Sequence, residues 1–181
     1  SCIVRGMEAS YLDRHPRIKD GISFLIFITV VLVGTVLINT FIFRSFSVSG
    51  HSMDSTLSDG DRLIVNRLPI TATQMQNAPY IPKRGQIIVF KNPRFTEGTV
   101  DEFIVKRVIA VEGDLVGVAF GQAMVNGVWP KEPYIKRERL IRERPVLTTV
   151  PDGELFLMGD NRNFSEDSRD IGTLKAERVL G

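Results

Sequence analysis

Residues 102–114 read EFIVKRVIAVEGD. β-Branched and aromatic side chains fill the run, and Gly113-Asp114 closes it, the composition of a strand that ends in a turn. Alternation sends Ile104, Lys106, Val108 and Ala110 to one face, and Phe103, Val105, Arg107, Ile109 and Val111 to the other. Both faces are apolar apart from two adjacent cations, so the strand is expected to be buried on both sides.

The same grammar extends outward. DRLIVNR (61–67), GQIIVF (85–90) and ELFLMGDN (154–161) are short apolar runs bounded by Gly, Asp or Asn. In AMVNGVW (123–129), Asn126-Gly127 stands between apolar residues, the pair that a type I′ hairpin turn needs because both central residues take positive φ. ITATQMQNAPYIPKRG (70–85) is polar and punctuated by prolines, and reads as a loop. YIKRERLIRERP (134–145) is a charge run, read as a solvated face on a short helix or an extended ribbon. There is no long amphipathic helical pattern and no internal repeat, so residues 44–181 are expected to be mostly β.

Upstream lies ISFLIFITVVLVGTVLINTFIF (22–43), 22 residues without a charge and with one amide, Asn39. As a helix it spans about 33 Å, against a hydrocarbon core of about 30 Å. A buried core helix would show a polar face. A cleavable signal peptide has a shorter apolar region and a small-x-small site behind it, which is missing here. The run is read as a transmembrane helix between an N-terminal segment, 1–21, and a domain, 44–181. Arg14, Arg17 and Lys19 precede it closely, while Arg44 alone follows within about 15 residues, so the N-terminus is expected in the cytoplasm and the domain outside. A net charge of +2 carries no nucleic-acid signature, and the single cysteine, Cys2, excludes an internal disulfide.

An external enzyme would have few reactive groups to draw on. Cys2 and His15 lie before the span. His51 is the remaining imidazole, and with no H-x-x-x-H or C-x-x-C spacing no zinc site is expected. Next to Ser52 on an extended chain, His51 would point to the opposite side, and no G-x-S-x-G elbow occurs. A solvent-exposed loop histidine is the plainer reading. The remaining base able to activate a serine is a lysine, provided that it is neutral. An ordinary lysine with a pKa of about 10.4 is neutral in roughly one molecule in 2,500 at pH 7. Burial penalises the ammonium, and a drop of about 3 units corresponds to roughly 4 kcal/mol. Lys106 sits inside an apolar strand and is the candidate; a lysine snorkelling from a strand edge to solvent is the alternative. A third stretch, MGDNRNFSEDSRDIG (158–172), crowds arginines and acidic residues around Ser165 and Ser168. Alone it reads equally well as a salt-bridged polar turn. Arg162 stands where a calcium loop would want Asp or Asn.

SGHSMDSTL (49–57), FIVKRVIAVEGD (103–114) and GDNRNFSEDSR (159–169) occur in that order after an N-terminal span. The combination resembles the bacterial type I signal peptidases (leader peptidases), membrane-anchored serine proteases with a Ser/Lys dyad. The similarity runs from the span to Gly181. It implies Ser52 as nucleophile, Lys106 as general base and Ser165 as the hydroxyl that orients the lysine. Asp160, Arg162, Asp167 and Arg169 match structural and salt-bridging residues around the site. The Ser52 N–H is the implied oxyanion donor, with Gly50 where some members carry a further hydroxyl. The implied fold is a coiled antiparallel β-sheet, barrel-like and extracytoplasmic, on a single-pass anchor in the cytoplasmic membrane. The implied substrates are exported preproteins cut after small-x-small (Ala-x-Ala) ends, with Ile104 and Val108 as candidate walls of shallow pockets. The lipid bilayer is the other implied partner, and FIFRSFSV (41–48) suits a domain resting on it; no nucleic acid and no cofactor are implied.

Some positions depart from the pattern. Ser55 stands where proline is common, a loss expected to loosen the turn around Ser52. Gln86 replaces a frequent Asp, and Ala110 and Glu112 replace a frequent Gly and Pro. Rival readings are a Ser/Lys pilin or conjugation-type maturation peptidase, and a non-catalytic membrane-tethered β-domain that binds exported chains. A repressor-type autoprotease would carry a DNA-binding helix-turn-helix in place of the span. The eukaryotic-type signal peptidase has a histidine where Lys106 stands.

Overall fold

The computed structural model describes residues 15–76, 78–98, 101–135 and 144–181. Its contacts divide the chain into two units, Ser1–Phe41 and Ile42–Gly181.

In the first unit, α1 (Pro16–Leu37) opens with proline in its first turn and passes into a π-helical turn, Ile38–Ile42. Proline suits that position because the first helical N–H groups have no partner to lose. None of the residues of α1 is buried within the chain, and the helix is long and apolar enough to cross a bilayer. Its hydroxyls are satisfied locally: Thr29 Oγ1 donates to the Leu25 carbonyl at 2.9 Å and Thr35 Oγ1 to that of Val31 at 2.8 Å. A threonine can sit in an apolar environment on those terms.

The second unit is mostly β. β1 (Phe43–Ser47) pairs antiparallel with β2 (Arg62–Asn66). A four-stranded sheet runs β3 (Ile87–Lys91), β4 (Phe103–Val111), β8 (Glu154–Met158), β9 (Leu174–Lys175), each neighbour antiparallel. A third sheet has β5 (Leu115–Ala119) between β6 (Gln122–Val125) and β7 (Val146–Thr149). Among the described residues the three sheets share no ladder, so no barrel closes.

β4 and β8 form the middle of the unit because both of their faces are covered. Leu155 and Leu157 of β8 join Val108, Ile88 and Phe90 in one core, whereas Phe156 and Met158 join Ala110, Val116 and Val125 in another. Alternation along a strand produces this division. In β4 the alternation is broken once. Val108 pairs with Leu157 and Ala110 with Phe156, leaving Ile109 as an extra residue that shifts the register.

The turn at Asn126-Gly127 forms as its composition predicts: both residues take positive φ, 52° and 78°, and Val125 pairs with Val128 across it. The loop expected over 70–85 is corrected at its start, where α2 (Leu68–Gln74) forms. Pro69 in its first turn favours the helix, and Ile70 anchors it in the core. Most of the charge run, 136–143, lies outside the described residues. At its described end, the solvated reading fails for Arg144, whose side chain is 13% exposed and pairs with Asp170.

Candidate active site

Ser52 lies in a turn between β1 and β2. Gly50 leads in with φ 88°, a conformation that costs glycine little. Met53, 2% exposed, then drives the turn into the protein, and its carbonyl accepts the N–H groups of Thr56 and Leu57. Asn161, from the segment after β8, ties this turn down with two donors. Its N–H reaches the Ser52 carbonyl at 3.1 Å and its Nδ2 the His51 carbonyl at 2.9 Å.

Lys106 comes from β4, before the strand begins to pair with β8 at Arg107. Its Nζ lies 2.6 Å from Ser52 Oγ, and the residue is 4% exposed. Burial pulls its pKa from 10.5 down to about 8; the Asp167 carboxylate is the largest opposing influence, and the Arg169 guanidinium works with burial. A lysine in contact with a hydroxyl and close to neutral can accept that hydroxyl's proton.

The next residue is held in the opposite state. Arg107 donates through Nε and Nη2 to the two oxygens of Asp160 at 2.8 and 2.6 Å, and its pKa rises because of that bond. Asp160 is fully buried and also accepts from Thr56 Oγ1 at 2.6 Å. One carboxylate thereby joins β4 to the Ser52 turn. The Arg107 guanidinium stacks on the Tyr134 ring, 3.9 Å from its centroid.

Asp167 organises the far side of the site. It receives Arg169 through Nε and Nη2, both at 2.8 Å, the Gly159 N–H at 3.0 Å and Ser165 Oγ at 2.7 Å. Burial alone would raise its pKa, but Arg169 and these donors hold it below the ordinary carboxylate value. It also caps the short helix α3 (Ser168–Ile171). With its one proton on Asp167, the Ser165 hydroxyl is left with lone pairs as acceptors. Gly159 fits between the two serines: a Cβ there would collide with Ser165 Oγ and with the Ser52 carbonyl.

Ser52, Lys106, Ser165, Asp160, Asp167 and Arg169 thus meet in one place. Arg162 stands beside them, its Nε on the Gly159 carbonyl at 3.1 Å and its Nη2 on Glu132 at 2.5 Å. A groove of about 610 Å³ opens in front of Ser52 and Lys106, lined in part by Phe46, Ser49 and Ile104. Arg44 lies over Phe46 and Phe103 along the same groove, 5.0 Å from each ring centroid. Val108 does not belong there. It is wholly buried among Ile88, Phe90 and Leu157, where it cannot touch a bound chain. The expectation for Ser55 is also corrected. Its φ is 92°, which the proline ring cannot adopt, and its hydroxyl donates to the Tyr134 carbonyl. The turn is tied by that bond where loosening was expected.

Asn161, Thr56, Gly159, Glu132, Tyr134 and Arg144 are site neighbours that the sequence did not single out. Asn161, Gly159 and Thr56 sit inside motifs already noticed, whereas Glu132, Tyr134 and Arg144 are polar residues with no local signal of burial. Among the described residues, no group of three or more His, Cys, Asp or Glu side chains is arranged to hold a metal ion.

Comparison with known proteins places the chain in a family. Residues 21–181 match the family described as signal peptidase, peptidase S26. The chain belongs to this family. Signal peptidase I of Bacillus amyloliquefaciens is 35% identical over 165 residues, covering 85% of this chain and 80% of its own. Signal peptidase IB of Staphylococcus aureus strain Mu50 is 28% identical over 179 residues, covering 90% and 87% respectively. A crystal structure of a signal peptidase I from Enterococcus faecalis V583 matches with a TM-score of 0.46 at 31% identity, covering 57% of this chain and 97% of its own. The family match takes in all three site-bearing stretches, from the turn at Ser52 to Arg169.

Proposed function

We propose that this signal peptidase family member is a serine endopeptidase that removes signal peptides from exported preproteins, with Ser52 as nucleophile and Lys106 as general base. The observation that carries the reading is the 2.6 Å contact between Ser52 Oγ and a buried Lys106 Nζ. In its neutral form Lys106 takes the Ser52 proton as Oγ attacks the scissile carbonyl. The lysinium then protonates the leaving amine, and water, activated by the same lysine, hydrolyses the acyl-enzyme. The Ser52 N–H is the oxyanion donor in this scheme; the Gly50 N–H is already engaged by Asp59 at 2.8 Å. Ser165, fixed by Asp167, orients the lysine from its acceptor side.

The groove suits an extended substrate. In β4, residues 103–106 pair with β3 along one edge, while the ladder to β8 begins only at Arg107. A peptide lying along the unpaired edge would gain backbone hydrogen bonds and bring its carbonyl to Ser52. Phe46, Phe103 and Ile104 line this groove, and in this reading they are the apolar walls against which small residues sit at the specificity positions (Ala-x-Ala). In this reading α1 anchors the protein in the cytoplasmic membrane, and the basic flank Arg14, Arg17 and Lys19 keeps the N-terminus inside.

The test uses the full chain in detergent or lipid vesicles and a preprotein with an Ala-x-Ala end. Junction cleavage should disappear in Ser52→Ala and Lys106→Ala. For the parent, kcat/KM should rise with pH as Lys106 loses its proton, reaching half its plateau near pH 8. Cleavage that survives Ser52→Ala would end this reading.

A further inference from the structure

The segment 159–165 supplies four groups to the site: Gly159 against Ser52, Asp160 on Arg107 and Thr56, Asn161 on the Ser52 and His51 carbonyls, and Ser165 on Asp167. No helix or strand holds this segment. Its backbone therefore needs other partners: Arg144, from elsewhere in the chain, bonds two of its carbonyls, and Arg162, held by Glu132, bonds a third.

Glu132 holds one side. Both it and Arg162 are buried, at 4% and 3% side-chain exposure, and they pair at 2.5 Å. Glu132 is itself anchored to β6 by the Ala123 N–H at 3.2 Å and receives the Tyr134 hydroxyl at 3.0 Å. The paired Arg162 donates Nε back to the Gly159 carbonyl at 3.1 Å. Arg144 holds the other side. Its Nη1 donates to the Ser165 carbonyl and its Nη2 to the Arg162 carbonyl, each at 3.0 Å, while Asp170 balances the charge. A planar guanidinium can serve two carbonyls and a carboxylate at once; an ammonium is a single point that cannot span them.

We propose that Glu132 and Arg144 are positioning residues for peptide cleavage. They grip the 159–165 segment from two sides and thereby set the contact between Ser52 and Lys106. Among the described residues, neither hydrogen-bonds to Ser52 or Lys106; each acts through the segment. The inference rests on the Ser52/Lys106 reading above.

The experiment compares Glu132→Gln, Arg144→Ala and Arg144→Lys with the parent, with Ser52→Ala, and with Arg84→Ala as a stability control. Arg84→Ala removes a different ion pair, Arg84–Asp114, away from the groove. The readouts are kcat, KM, melting temperature, and the rate at which an amine-reactive reagent labels Lys106, with exposed Lys83, Lys131 and Lys175 as internal standards. In Glu132→Gln and Arg144→Ala, kcat should fall about 10- to 100-fold with KM within about threefold, and Lys106 should label several-fold faster. Arg144→Lys should recover only part of the loss. The inference is overturned if these variants melt earlier, as Arg84→Ala should, while kcat and Lys106 labelling stay at the parent's values. If the parent fails to cleave, or Ser52→Ala cleaves as well as the parent, the Ser52/Lys106 reading is what fails. Lys106 labelling then decides the positioning role alone, and unchanged labelling ends it.

Discussion

Consecutive residues of β4 deliver cations to two environments. Lys106, 4% exposed, meets the hydroxyl of Ser52, and burial lowers its pKa to about 8. Arg107, 9% exposed, meets both oxygens of Asp160, and its pKa rises. Similar burial has produced opposite outcomes because the partner decides what burial does to a charge. The two residue types also differ in what they can do: a lysine can shed its proton near neutral pH once it is desolvated, and an arginine cannot. The strand therefore holds a cation able to shed its proton and a cation locked in an ion pair side by side.

The strongest way to break this comparison is Lys106→Met. A lysine with a folded pKa below its unfolded one opposes folding while it is protonated. That opposition is full below pH 8 and fades as pH rises from about 8 to 10.5. It amounts to roughly 3 kcal/mol. Lys106→Met should thus lower cleavage by about 10²–10⁴-fold and raise the melting temperature near neutral pH, with the gain shrinking at pH 10. Calorimetry showing a lower melting temperature at neutral pH would remove the idea that Lys106 is held against its preference.

A smaller loss should come from Gly159→Ala, which leaves both cations in place but crowds Ser165 and the Ser52 carbonyl. Cleavage should fall about 10²-fold, mainly in kcat, since a displacement of about 1 Å is enough for that. Near-parental kcat would mean that the two serines can separate without consequence. Arg107→Met should affect activity least, by less than about tenfold below the melting point, and stability most. Stranding buried Asp160 should cost about 3–5 kcal/mol, a shift on the order of 10 °C. The double variant Arg107→Met/Asp160→Leu should recover much of that shift in thermal melts, because it removes the stranded charge.

Some of this was readable from local pattern. The β4 run announced a strand buried on both faces, and Asn126-Gly127 announced its turn, because each depends on neighbours a few residues away. Lys106 was conspicuous for the same reason: it is a cation in an apolar run. Val108 keeps the face of Ile104 that alternation predicts, but the core built with Ile88, Phe90 and Leu157 covers that part of the face, which no local pattern shows. The extra residue at Ile109 moved Ala110 instead, and only pairing with β8 reveals that bulge. α2 was missed because a short helix of seven residues has little propensity to show, and burial of Ile70 in the core holds it. Arg144 was read with the solvated charges around it, since a charge run carries no mark of which member is to be buried.

By itself, the sequence determined the residue types available for the chemistry: a serine in a turn, a lysine in an apolar strand, a motif dense in counter-charges, and a helix apolar enough to anchor them. These follow from composition and short-range spacing. Only the tertiary structure decided that Lys106 meets Ser52 across 54 positions, that Asp160 takes Arg107, and that Glu132 and Arg144 reach the 159–165 segment. The reason is that burial and partnership are properties of packed elements. A side chain's pKa, and with it its role, is set by whatever distant strand or turn the fold lays against it.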